Sequence, residues 1–202
     1  MPIEKIFIKN FAYCNAVDEI IKKIPMMMRR KLSTVDKLAM SVIMKVFEED
    51  DNIDEFIFSS QYGEFERLFS LIEQYNNENE VSPIAFSASV HNYLAGVLSL
   101  LRNLTGSYYA VSSGKNSLSF GLVQAIVSEK NNILYCFSDS FEEKKAVAIL
   151  ISKTPVANSI ECKFEKEINL IQSDEYFSFI DFLEKRTNKI ITPVGILYRI
   201  DV

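Results

Sequence analysis

Ser82-Pro83-Ile84-Ala85-Phe86-Ser87-Ala88-Ser89-Val90-His91-Asn92, the apolar run that follows it to Leu101, and Ser112-Ser113-Gly114-Lys115-Asn116-Ser117 beyond it decide how this chain is built. Val90, Tyr93, Leu94, Ala95, Val97, Leu98, Leu100 and Leu101 leave little polar surface, so the spacing predicts a helix over about 87–103 that is buried on most sides. Thr105-Gly106 breaks it, and Tyr108 to Ser112 reads as a strand. A second helix is expected over 116–129, with Ser117, Ser119, Gly121 and Ala125 small enough to let it pack closely. Lys115 stands in the turn between that strand and that helix.

Outward from this core, Ile3 to Phe11 reads as a first strand, dense in β-branched and aromatic residues. A loop through Met26-Met27-Met28-Arg29-Arg30 leads to a helix opening at Ser33 or Thr34, with Asp36 in its first turn, and ending at Asp50-Asp51-Asn52. Val35, Leu38, Ala39, Val42, Ile43 and Val46 paint one face of it apolar. Phe56 to Phe58 is a short buried strand that stops at Ser59-Ser60-Gln61-Tyr62-Gly63, and Phe65, Leu68, Phe69 and Ile72 mark the next helix. Ile133 to Phe137 and Ala146 to Ile151 are two hairpin-spaced strands. A strand near Ile160 to Ile171, a helix from Ser173 to about Lys185 and a last strand from Gly195 to Ile200 complete the chain. Strands alternating with helices, then a hairpin, argue for a layered α/β sheet, mostly parallel with an antiparallel edge and with buried central helices. The division expected is a main domain over 1–154 and a C-terminal extension, 155–202, packed on it.

Composition narrows the function classes. The 202 residues suffice for one domain with a substantial core, and 48% apolar against 24% charged residues is ordinary globular usage. A net charge of −5 repels a phosphate backbone, so nucleic acid is not an expected partner. No apolar stretch reaches the roughly 18–20 residues a bilayer requires, so no membrane span is expected. Cys14, Cys136 and Cys162 are odd in number and lack metal-ligand spacing, which fits a reducing cytoplasm; no metal and no cofactor are expected.

From Ile53 to Ile151 the chain resembles the N-terminal half of a β-ketoacyl synthase of the thiolase fold. It is most similar to the short β-ketoacyl-synthase-like proteins of the chain-length-factor type found with aryl polyene and related type II polyketide pathways. The resemblance rests on Ser-Pro-x-x-Phe-Ser-x-Ser-Val-His-Asn-x-x-Ala-Gly at Ser82 to Gly96, on Ser-Gly-x-x-Ser-x-x-x-Gly-Leu at Ser113 to Leu122, and on Tyr62-Gly63-Glu64-x-Glu66-Arg67. It implies a thiolase-like half fold. In an active member a cysteine opens the helix after the strand, activated by the positive helix end. Placing Gly106 before the strand and Gly121 within the helix puts Lys115 at that position, and lysine cannot form the thioester. The remaining catalytic groups of the family come from the second half of a chain about twice this length, and the one histidine here, His91, lies in another segment.

The resemblance therefore implies a catalytically silent subunit that pairs as a heterodimer with a full-length β-ketoacyl synthase and shapes its acyl pocket, meeting acyl carrier protein only indirectly. The loop over 84–90 would cross the two-fold axis, so that Ala85, Phe86, Ser89 and Val90, with His91 and Asn92 beside them, line the neighbour's acyl pocket. Arg29 and Arg30 could bind an acidic carrier protein. Plainer readings stand beside these: Phe86 and Val90 as core, His91 as a hydrogen-bonded structural histidine, Lys115 as a solvated lysine, Arg29 and Arg30 as a solvated loop. Two other functions remain open at this point: an active small acyltransferase or hydrolase on acyl-carrier substrates, and a homodimeric scaffold.

Overall fold

The computed structural model describes residues 4–48, 51–168 and 175–200. The strands β1 (Glu4–Cys14), β2 (Glu55–Ser59), β3 (Ser107–Val111), β4 (Asn132–Asp139), β5 (Lys145–Ser152), β6 (Ile160–Lys166), β7 (Lys189–Thr192) and β8 (Gly195–Arg199) form one sheet in the order β3-β2-β4-β5-β1-β6-β8-β7. Alternation along β4 builds the layers: Ile133, Tyr135 and Phe137 enter one core while Leu134 and Cys136 enter the other. The first core is closed by α6 (Ser117–Val127) and α7 (Glu175–Leu183), the second by α2 (Thr34–Val46) and α5 (Tyr93–Arg102).

Local chemistry fixes the helix starts. Ser33 caps α2 through a reciprocal box in which its Oγ accepts from the Asp36 amide at 3.2 Å and the Asp36 carboxylate accepts from the Ser33 amide at 3.1 Å. The remaining helices are α1 (Met26–Arg29), α3 (Phe65–Glu78) and α4 (Pro83–Ser87), with a 3₁₀ turn at Glu19–Lys23. Neither that turn, nor α1, nor β7 carries enough apolar periodicity to show in the sequence.

Three expectations are corrected. The sheet is mixed, but its balance is reversed: only β3/β2 and β2/β4 pair in parallel, and the other five contacts are antiparallel. Strands β1 to β4 do point one way. The hairpin strand β5 inserts between β4 and β1, and this turns both of those contacts antiparallel. The helix expected over 87–103 starts only at Tyr93, as α5; Ser82, with Pro83 behind it, caps a separate short helix, α4, and the stretch Ser89 to Asn92 lies between the two. Nor is α5 buried all round: Leu94, Ala95, Val97 and Leu98 face the core, whereas Leu100 is 80% exposed. The strand expected to run to Ile171 ends at Lys166. Ile3, Asp50, Ile171 and Ser173, which bound elements in the sequence pattern, lie outside the described residues.

Helix α6 is buried on both sides, by the sheet and by α7, where the Glu175 carboxylate accepts the Ser119 amide at 3.1 Å. Close packing at Gly121 makes this possible: a Cβ there would stand 2.6 Å from both Ser59 Oγ and the Tyr135 ring. No described helix is long and apolar enough to cross a membrane.

Candidate functional site

Because β2, β3 and β4 point the same way, their C-terminal ends deliver three loops to one end of the sheet, where open α/β sheets place their sites. Asp139 ties two of these loops together. Its buried carboxylate accepts from Ser60 Oγ at 2.6 Å and from the amides of Gln61 and Tyr62 at 3.1 Å. Ser60 Oγ in turn accepts from the Gly63 amide at 2.8 Å. Gly63 has φ +54°, and a Cβ on it would lie 2.4 Å from His91 Nδ1, so both its conformation and the packing demand glycine. His91 stands against this turn with its ring 5.5 Å from that of Phe58, and burial pushes its imidazole below the ordinary value.

Lys115 sits where the sequence places it, in the turn from β3 into α6. Gly114 takes the left-handed conformation at φ +56°, and Ser117 Oγ clamps the turn by accepting from the Ser113 amide at 2.9 Å and donating to the Gly114 carbonyl at 2.7 Å. The turn opens on a cavity of about 250 Å³ bordered by Gln61, Lys115, Glu142, Lys145, Glu175 and Tyr176. Glu175 changes the electrostatics of this place, because its carboxylate holds an amide of the first turn of α6, one of the donors a helix start leaves unpaired. Cys14, Cys136 and Cys162 all lie on strands, away from this turn, and burial raises the thiols of Cys14 and Cys136. Among the described residues no three His, Cys, Asp or Glu side chains form a group that could hold a metal ion.

The segment over 84–92 forms a second, separate locality. Ala85 and Phe86 lie on α4, and Phe86 is 61% exposed, which excludes the reading of this side chain as core. Ser89 is half-buried, its Oγ donating to the Phe86 carbonyl at 2.8 Å, and Val90 is exposed. Asn92 reaches the edge strand, where its Nδ2 donates to Tyr108 Oη at 3.2 Å. Strand β3 is the outer strand of the sheet; four of its five residues are exposed, Tyr108 and Tyr109 among them.

A buried cluster that sequence reasoning missed joins α2 to α3. Ser33 Oγ donates to Glu64 Oε1 at 2.7 Å, Arg67 Nε lies 2.9 Å from Glu64 Oε2, and Arg67 Nη2 lies 3.8 Å from Asp36 Oδ2, with the guanidinium over the Tyr93 ring. Burial, reinforced by the Asp36 charge, raises the Glu64 carboxyl from 4.5 to about 7, and burial raises Asp36 as well. A folded state that holds a proton the unfolded chain has released loses stability as pH climbs between these values. Unfolding free energy should therefore fall by about 2–3 kcal/mol from pH 4.5 to 7.5 in this cluster's contribution. Glu64→Gln should flatten that slope in urea titrations at several pH values; an unchanged slope would assign it to other groups.

The family described as "Beta-ketoacyl synthase, N-terminal domain" matches residues 9–175. No curated protein matches the chain in sequence. Among solved structures, a ketosynthase (ApeO) in complex with its chain length factor (ApeC) from Xenorhabdus doucetiae includes a chain that superposes with a TM-score of 0.76 at 18% identity, over 96% of this chain and 99% of that one. The ishigamide ketosynthase/chain length factor superposes with a TM-score of 0.59 at 12% identity, over 76% of this chain and 54% of that one. The AntDE:AntF complex, a type II polyketide acyl-carrier protein with its ketosynthase, gives 0.61 at 11%, over 82% and 69%. At these identities the likeness is one of fold, and it makes the sheet and its helices a thiolase-like half fold.

Proposed function

Because the chain belongs to the family of β-ketoacyl synthase N-terminal domains, we propose that it is a catalytically silent, chain-length-factor-like subunit that pairs with a full-length β-ketoacyl synthase and shapes its acyl pocket. The observation that carries this reading is the turn into α6. Its architecture is intact, with a left-handed glycine and a serine clamp, but the residue presented there is Lys115 and the helix start is held by Glu175. A thiolate needs positive potential at a helix start, and a carboxylate accepting one of the amides there, that of Ser119, opposes it. Covalent acyl chemistry then belongs to the partner, and this chain acts sterically.

The uncovered surface supports pairing. Helix α6 is sealed by α7, but the outer edge of β3, Phe86, Val90 and Leu100 on the α4–α5 segment are open to contact. A stable interface takes about 800 Å² per partner. The superposition over 99% of one chain of the ApeO and ApeC complex supports a subunit of that kind.

Co-expression with a full-length ketosynthase encoded beside it, followed by size-exclusion chromatography, should give a complex of the two chains, and Phe86→Ala should lengthen the acyl products of that complex. A homodimer that ignores the enzyme would overturn the pairing. An unaltered product distribution from an intact Phe86→Ala complex would remove the pocket role alone.

A further inference from the structure

Residues 185–189, Lys-Arg-Thr-Asn-Lys, put three cations at the passage from α7 into β7, in a chain whose net charge is −5. They border an open groove of about 780 Å³, lined by Lys185, Arg186, Lys189, Ile191 and Arg199, with Asp181 as its one acid among the described residues. Two of these cations are matched locally. Arg186 Nη1 lies 2.9 Å from Asp181 Oδ1. The buried Arg199 donates from Nη1 to the Phe182 carbonyl at 2.9 Å and to the Leu183 carbonyl at 3.3 Å, which offsets the negative end of α7. Lys185 and Lys189 are exposed and form no ion pair among the described residues. Lys185 is also poorly suited to its place. It stands just past α7 with φ +63°, where the Arg186 amide closes the helix end by donating to the Asp181 carbonyl at 2.8 Å. Glycine takes such a left-handed position without steric cost, and α3 and α5 use asparagine there, at Asn79 and Asn103.

A charged side chain that costs stability, beside a groove with a second unmatched lysine, marks a place held for binding. We propose that this groove takes a phosphorylated small molecule, its phosphate oxygens accepting from the ammonium groups of Lys185 and Lys189 and its uncharged part lying over Ile191, which is 43% exposed. A phosphate monoester carries about two negative charges and three acceptor oxygens, so it balances two lysines where a carboxylate balances one. The volume is that of a small-molecule pocket, about 300–1,000 Å³. The overall charge selects a free molecule over a lipid headgroup: an anionic membrane would meet the whole acidic surface, whereas a small ligand samples only the local potential. Strands β7 and β3 are the two outer strands of the sheet, so the groove is separate from the border proposed to pair with a ketosynthase.

The test titrates the full chain calorimetrically with inorganic diphosphate. Succinate, and phosphatidylcholine vesicles carrying phosphatidic acid, form the comparison arms. Saturable binding of diphosphate at one site is expected, with succinate at least about tenfold weaker. Lys189→Gln should weaken diphosphate binding at least about tenfold and leave the melting temperature unchanged, since the side chain is exposed. Lys185→Gly should weaken it as much while raising the melting temperature, because glycine relieves the left-handed backbone. That opposite movement of binding and stability separates a ligand-holding lysine from a structural one. No saturation below about 1 mM diphosphate, equal binding of succinate, indifference to either substitution, or stronger binding to the vesicles would each overturn the proposal.

Discussion

Asp139→Ala is expected to lower the unfolding free energy by about 4 kcal/mol. Its carboxylate is 4% exposed and accepts from the Ser60 hydroxyl and from the Gln61 and Tyr62 amides, so truncation strands three donors together. Each donor left unsatisfied in a buried place costs about 1–3 kcal/mol, and water entering the gap recovers part of that. The urea midpoint should fall with little change in slope, and the Gln61 and Tyr62 amides should lose hydrogen-exchange protection. Asp139→Asn should sit between the two, since its amide nitrogen faces donors. A loss below about 1 kcal/mol, or retained protection at those amides, would show that the loop holds itself.

Gly121→Ala is the second large effect. A single methyl would come within 2.6 Å of Ser59 Oγ and of the ring of Tyr135, and that ring is completely buried with its hydroxyl donating to the Leu118 carbonyl at 2.6 Å. Neither neighbour has a free direction, so α6 must lift from β2 and β4. Overpacking of this kind costs about 3 kcal/mol, equivalent to a fall of about 6–12 °C in melting temperature for a chain of this length. Helix propensity works the other way, by about 1 kcal/mol, so a stabilised Gly121→Ala protein would mean that the contact yields. Gly96→Ala is the matching control: a Cβ added to this helical glycine would meet no atom of another element within 4 Å, and the substitution should be neutral or stabilising.

What the sequence discloses is what neighbours in the chain decide. Ser33 and Asp36 lie three apart, and their capping box is a local bond pattern. The close-packing role of Gly121 is visible as a run of small residues at helical spacing, and Lys115 can be placed by counting from Gly106 and Gly121. Strand directions are also recoverable for β1 to β4; their pairing is not, because the insertion of β5 between β4 and β1 is a long-range contact that no local pattern encodes. Asp139 is hidden for a similar reason. It ends a strand beside an acidic turn, and only the fold brings it to Ser60, 79 positions away. An acid closing a fully buried strand, facing a Ser-Ser-x-x-Gly loop, is the signal that could have found it. Glu64 and Arg67 belong to a recognisable motif, yet their partners sit on α2 and its cap at Asp36 and Ser33, out of reach of any spacing rule.

The outer flank of β3 has a bearing on how the protein must be made. Its sequence, Ser107-Tyr108-Tyr109-Ala110-Val111, includes no lysine or proline of the kind that guards a sheet border against self-stacking. A polypeptide with that border open is prone to join copies of itself into disordered aggregates whenever it is produced in excess. Made alone, the protein should therefore give less soluble material than when it is made together with a chain that covers this border.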